Sequence, residues 1–278
     1  MTTSQVPTRR AFFVSDRTGI TAEMLGHSLL SQFEDVAFKE VTLPFVDSVE
    51  RARQVVHQIN LAGAEDGIRP LVFSTLVDPE LSAVIATANA MYLDCFQRFI
   101  QPMEQELGVG HTREIGRAHR VRDFDEYHAR IEAVNFVLAH DDGVSTKELV
   151  HADIVLVGVS RCGKTPTCLY LGLQYGIRAA NYPLIPEDFR DMKLPARLEK
   201  FRRKFFGLTI EAERLSQIRN ERRPNSNYAL IENCQYEIDR AELLMRQEGI
   251  PFIDATNRSI EELATTILHQ AKLQRQIF

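Results

Sequence analysis

Cysteine is scarce in this chain, and the little there is sits badly for cross-linking. Cys95, Cys162, Cys168 and Cys234 show neither Cys-x-x-Cys spacing nor histidines at metal-ligand spacing, which argues against a disulfide scaffold or a zinc site. Such usage fits a reduced, cytoplasmic protein. Long apolar runs are missing as well: no stretch approaches the roughly 20 residues of a membrane span, and Met1-Thr2-Thr3-Ser4-Gln5 opens no signal-peptide core. No membrane association is expected. Positive charge is in deficit: a formal net charge of -5 is wrong for a general nucleic-acid binder, which needs a basic face against a polyanion. An Asn-Lys-x-Asp guanine-reading segment is absent, and there is no internal repeat, coiled-coil heptad or low-complexity tract.

What remains is an ordinary globular composition, 44 % apolar and 26 % charged, over 278 residues. That length is long for one core and comfortable for two domains. One stretch carries chemistry on its face. Asp153-Ile154-Val155-Leu156-Val157 is a short apolar, β-branched run of buried-strand type. Gly158-Val159-Ser160-Arg161-Cys162-Gly163-Lys164-Thr165 follows at once, and Pro166-Thr167-Cys168-Leu169-Tyr170-Leu171 opens a helix. Gly-x-x-x-x-Gly-Lys-Thr between strand and helix is the phosphate-binding P-loop in its required context. The glycines let successive N–H groups turn inward, and the helix adds its positive end to the same spot. Residues 158–165 are therefore the expected nucleotide-binding segment, Lys164 the cation for the terminal phosphates, and Thr165 the Mg²⁺ ligand. Pro166 is tolerated because a first-turn N–H has no partner to lose.

Strand and helix alternate on both sides of this motif. Strands are expected at 11–15, 38–43 and 71–75. The helices between and after them place Ala22, Leu25, Leu29 and Phe33 on one inward stripe and Val49, Ala52, Val56 and Ile59 on another. Thr21, Asp78 and the N-cap pattern Asp47-Ser48-Val49-Glu50, with its acid three residues on, are the candidate caps. A helix over 124–140 turns Tyr127, Ile131, Val134 and Leu138 inward. Asp141-Asp142-Gly143-Val144-Ser145 breaks it, so the domain boundary is placed there: 1–143 as a parallel α/β domain facing a partner, 144–278 as a P-loop, kinase-like α/β domain. In the second half strands are expected at 177–182, 205–210 and 251–255, with 183–195 irregular. Ser259-Ile260-Glu261-Glu262 forms a capping box for the last helix.

Phosphoryl transfer also needs a carboxylate to orient the nucleophile. Asp188, in the loop after the second strand of the nucleotide half, is the favoured candidate. Asp254, at the end of a later strand, could instead hold metal through water, and either could be a helix cap or a surface acid. Arg197, Lys200, Arg202, Arg203 and Lys204, with Arg214, Arg219, Arg222 and Arg223, form a basic concentration that either closes over a nucleotide or is the solvated face of a helix. Ser15-Asp16-Arg17-Thr18-Gly19 is unusually polar for a strand-to-helix turn and is open to a second anion or to simple capping.

Taken together, the chain resembles the bacterial phosphoenolpyruvate synthase regulatory proteins, relatives of the pyruvate, phosphate dikinase regulatory proteins. The likeness rests on Val14-Ser15-Asp16 with Thr18-Gly19-Ile20-Thr21-Ala22-Glu23, on Leu43-Pro44-Phe45-Val46 and on Leu138-Ala139-His140-Asp141-Asp142-Gly143. It continues through Gly158 to Thr167, Ala179-Ala180-Asn181-Tyr182-Pro183, and Phe206-Gly207-Leu208-Thr209-Ile210 with Arg214-Leu215. The resemblance implies a bifunctional enzyme that uses ADP to phosphorylate a threonine of phosphoenolpyruvate synthase, and removes that phosphate with inorganic phosphate, yielding pyrophosphate. It implies Lys164 and Asp188 as catalytic groups, ADP as donor, and phosphoenolpyruvate synthase as the protein substrate. A homodimer is one admissible assembly. Two other readings stand beside it: an ATP-dependent small-molecule or nucleotide kinase, and a non-catalytic nucleotide-sensing module.

Overall fold

The computed structural model describes residues 8–112, 124–141 and 149–274. It is an α/β protein with two four-stranded sheets, and every strand pair in both is parallel. In the first sheet β1 (Thr8–Val14), β2 (Ala37–Leu43), β3 (Leu71–Ser74) and β4 (Met91–Asp94) lie in the order β2-β1-β3-β4. In the second, β5 (Ile154–Gly158), β6 (Ala179–Pro183), β7 (Phe205–Thr209) and β8 (Phe252–Asp254) lie in the order β6-β5-β7-β8. Parallel neighbours require crossovers, and the helices expected between strands supply them. Beyond the expected elements, β4 is followed by α4 (Gln97–Leu107). No helix of the described residues is long and apolar enough to cross a membrane.

The helices of the first unit are α1 (Ile20–Leu30), α2 (Val49–Asp66), α3 (Pro79–Ile85) and α4. Asp78 caps α3 by accepting from the Glu80 N–H, as the sequence predicts, whereas α2 is capped by Ser48, which accepts from the Arg51 N–H, one residue beyond Asp47 of the expected pattern. Thr21 does not cap α1; the cap position is Gly19, in a left-handed conformation. The inward stripe of α1 also differs from expectation. Ala22, Gly26 and Leu30 are buried, whereas Leu29 and Phe33 are 48 % and 60 % exposed. The cause is the Phe13 ring of β1: a Cβ on Gly26 would lie 2.2 Å from its Cε1, so the helix rests on the sheet by its smallest residue.

In the second unit, α5 (Phe124–Ala139) packs against α6 (Lys164–Tyr175), and the small faces again win. Ala133 and Val137 are buried, and a Cβ on Gly172 would come 3.3 Å from Val137 Cγ2. Of the four residues expected inward, Ile131 and Leu138 are exposed, and the Tyr127 side chain lies outside the described residues. Because α5 docks on α6, the chain divides into compact units at 120/121, upstream of the boundary placed at 143/144. Residues 142–145, where that boundary was read, lie outside the described residues. Three further helices, α9 (Ala212–Arg222), α10 (Ile231–Gln247) and α11 (Ile260–Gln270), complete this unit. The capping box of α11 forms as expected, with Ser259 and Glu262 each accepting from the other's N–H. Two short helices, α7 (Pro186–Asp191) and α8 (Ala196–Glu199), occupy the stretch expected to be irregular.

Gly26→Ala tests the close packing of α1. Helix propensity alone would stabilise by about 1 kcal/mol. Overpacking against the buried Phe13 ring costs about 1–3 kcal/mol, so the first unit's denaturation midpoint should fall. A rise in the midpoint would contradict the packing described.

Candidate functional site

Strand β5 is central in its sheet, and all five of its residues are buried. It ends on Gly158, which β7 crowds: a Cβ there would lie 2.2 Å from the Leu208 carbonyl oxygen and 3.0 Å from Cys162 Sγ. Only glycine fits that approach. The turn then reaches α6 through Arg161 at φ 77° and Gly163 at φ 93°. Gly163 has open space around its Cα, so its requirement is conformational: it is the left-handed residue at the helix cap. Glycine brings no side chain to the first-turn N–H groups of α6, which keep their partial positive charge. Left-handed residues at 161 and 163 with a negative-φ residue between them are a backbone pattern from which anion-binding concavities form.

The eight residues expected to hold a nucleotide run from the last residue of β5 to the second residue of α6. Lys164 is 4 % exposed, and its Nζ donates to the Val159 carbonyl at 2.6 Å, with Cys162 Sγ at 3.8 Å. The ammonium thus lies within the turn and not in solvent. Thr165, the second residue of α6, meets two groups from other elements. Its Oγ1 donates to Asp141 Oδ1 at 2.8 Å, and Asn181 Nδ2 donates to the same Oδ1 at 2.6 Å and to Thr165 Oγ1 at 3.0 Å. Asp141 follows α5, and Asn181 is buried on β6 opposite Leu156.

Asp141 and Asn181 were not singled out as site residues. The signal for Asn181 was there: an amide inside an otherwise apolar buried strand needs a polar partner. Asp141 stands just beyond a helix end and within a block that carries the resemblance, but neither assigns it a role. Asp188, the expected carboxylate, is 4 % exposed and accepts from the Tyr182 hydroxyl at 3.2 Å and from the Ile185 N–H at 3.1 Å. The second bond closes the first turn of α7, which is the capping role weighed against catalysis. Asp254 is exposed and accepts from the Thr256 N–H; it lines an acidic cleft of about 600 Å³ with Glu211, Asp239 and Glu242 at the carboxyl ends of β7 and β8.

The basic concentration does not gather over the turn. Lys204 donates to the carbonyls of Val150 and Ala152, Arg202 pairs with Glu248, and Arg214, Arg222 and Arg223 are exposed. The Arg197 side chain lies outside the described residues. Among the described side chains of this group, Arg219 is hydrogen-bonded to the turn, at the Ser160 carbonyl. Burial pushes the Cys168 thiol well above its usual range, so this cysteine of α6 is inert packing. Among the described residues no group of three or more His, Cys, Asp or Glu is placed to hold a metal.

A family model described as kinase/pyrophosphorylase matches residues 11–268, across both units. The chain belongs to that family. Phosphoryl transfer is accordingly the general class of its activity. Relatives align along nearly their whole length. One from Aromatoleum aromaticum is 55 % identical over 276 residues, 99 % of this chain and all of its own. One from an Azoarcus species is 56 % identical over 273 residues, 98 % of this chain and 99 % of its own. A third, from Burkholderia mallei, is 57 % identical over 267 residues, 96 % and 98 % respectively. All three carry the provisional name phosphoenolpyruvate synthase regulatory protein.

Gly158→Ala should separate β5 from β7 at the mouth of the turn. The expected loss is about 1–3 kcal/mol of second-unit stability, seen as a lower midpoint in a denaturant titration. An unchanged midpoint would show that the close approach to Leu208 is not a constraint.

Proposed function

We propose that this chain is a bifunctional enzyme acting on phosphoenolpyruvate synthase, an ADP-dependent protein-threonine kinase and a phosphate-dependent pyrophosphorylase. The observation that carries the reading is the convergence on one amide-lined turn of Lys164 and the Asp141–Thr165–Asn181 cluster. Family membership and the names of the relatives point the same way.

In the kinase direction the target threonine hydroxyl attacks the β-phosphorus of ADP, the bond from that phosphorus to the bridging oxygen breaks, and AMP leaves. The turn's N–H groups and Lys164 hold the β-phosphoryl oxygens as charge shifts onto the bridging oxygen. Asp141 takes the carboxylate role that the sequence assigned to Asp188, because Asp141 is the acid in contact with Thr165. It accepts the proton that the threonine loses, and Asn181 fixes its orientation. In the reverse direction an oxygen of inorganic phosphate attacks the phosphothreonine phosphorus. The bond to the threonine oxygen breaks, pyrophosphate forms, and the proton returns to threonine. One basin serves both directions because the phosphorus being transferred occupies the same place in each.

Thr165 Oγ1 is a hard oxygen donor, which fits Mg²⁺; that ion characteristically takes one or two protein oxygens together with phosphates and water. When bound, it would neutralise phosphate charge.

The decisive experiment is mass spectrometry of purified phosphoenolpyruvate synthase after incubation with this protein and ADP. One added phosphoryl group on a threonine is expected. Partner inhibition without a covalent mass change would favour a nucleotide-sensing module instead. Lys164→Ala should abolish both directions together, and retention of pyrophosphate formation by that variant would rule out a shared basin. Asp141→Asn should lower kcat in the kinase direction by about 100-fold or more, the usual range for a lost general base. Wild-type turnover would remove Asp141 from that role.

A further inference from the structure

The stripe by which α9 packs into the second unit is Ala212, Leu215 and Arg219, so an arginine occupies a position where an apolar side chain belongs. Arg219 is fully buried. Its Nη1 donates to the Tyr228 carbonyl at 3.0 Å, and the guanidinium lies 3.9 Å from the centre of the Tyr228 ring. Its Nη2 donates to Glu237 Oε2 at 2.6 Å and to the Ser160 carbonyl at 3.2 Å, and Cys234 Sγ lies 3.7 Å from Nη1. Burial works to lower its pKa, but the hydrogen bond and charge of Glu237 more than offset this, so it is held above its ordinary value and is protonated.

Stability does not explain such a residue. Well-packed apolar side chains commonly replace a buried ion pair at no loss, and a leucine or methionine would continue the stripe. What an apolar residue could not do is hold the Ser160 carbonyl, 59 positions earlier in the chain. A trans peptide group is planar, with its C=O and N–H pointing opposite ways. Holding the Ser160 oxygen therefore fixes the direction of the Arg161 N–H, in the middle of the turn, where Arg161 takes its left-handed φ of 77°. Lys164 does the same one residue earlier, since the Val159 carbonyl it holds shares a peptide plane with the Ser160 N–H.

Resting on the reading of this turn as a phosphate cradle, we propose that Arg219 is a positioning residue. It holds the outward carbonyl of Ser160 and thereby aims the turn's amides at the nucleotide phosphate. It touches no substrate and acts through the peptide plane alone. Lys164 is the complementary cation, whose ammonium has further N–H groups for a phosphate while one holds Val159, whereas Arg219 is locked by Glu237 and Tyr228.

The test compares wild type with Arg219→Met, which fills the volume without charge, and Arg219→Lys, which keeps charge without the planar fork. Exposed Arg222→Lys on the same helix is the control. Two readouts are taken on the full chain: ADP affinity by equilibrium dialysis, and amide hydrogen exchange in residues 158–164. Both Arg219 variants should bind ADP at least tenfold more weakly and exchange those amides at least tenfold faster, with the control unchanged in both. Wild-type affinity and exchange in Arg219→Met would overturn the proposal. Should that variant not fold, wild-type values in Arg219→Lys would overturn it equally. If wild type itself does not bind ADP, the functional reading fails, and the exchange comparison alone decides the role of Arg219.

Discussion

A peptide group can aim its N–H at an anion only by turning its carbonyl the other way, and inside a protein that carbonyl must then find a donor. The turn between β5 and α6 is built around this requirement. Val159 and Ser160 give their carbonyls to Lys164 and Arg219, and Gly158 lets the turn begin hard against the Leu208 carbonyl of the neighbouring strand. Much of the second unit serves these contacts. α9 brings the arginine, α10 brings the Glu237 that keeps it charged, and β7 sets the wall behind the glycine. On the other side of α6, α5 and β6 deliver Asp141 and Asn181 to Thr165.

The two sheets share one strand order, with the first strand of each unit flanked by the second on one side and the third and fourth on the other. Each first strand also leads to a helix through a left-handed glycine at the cap, Gly19 at φ 84° and Gly163 at φ 93°. The turns are filled differently. In the first unit Asp16 is buried and accepts from the Val77 N–H, while Ser15 Oγ accepts from the Arg17 N–H. Burial raises the Asp16 pKa, and the Val77 amide only partly offsets this. There the turn is braced by its own acidic and hydroxyl side chains. In the second unit the bracing comes from cations, which hold the Val159 and Ser160 carbonyls. One topology thus carries two kinds of turn, distinguished by which side chains hold the backbone.

Motifs written in consecutive residues were legible from the sequence: the 158–165 segment between strand and helix, the caps at Asp78 and Ser259, and the alternation that makes both sheets parallel. Contacts between distant segments were not. The stripes of α1 and α5 were misjudged in the same way, by assuming that the largest apolar residues face inward. Gly26 and the Ala133–Gly172 pair show that closest approach was the governing constraint, and small residues permit it. Arg219 looked like one of many surface arginines because nothing local marks it as buried. Asp141 was hidden for a related reason, since its partners Thr165 and Asn181 are 24 and 40 residues away.

The most direct test of the central claim, that the turn is a cradle for a diphosphate, is titration calorimetry of the full chain with ADP and with AMP in the presence of Mg²⁺. If the amides and Lys164 grip the β-phosphoryl group, ADP binds and AMP, which lacks that group, binds at least tenfold more weakly. Equal affinity for the two, or no heat with ADP, would contradict the account.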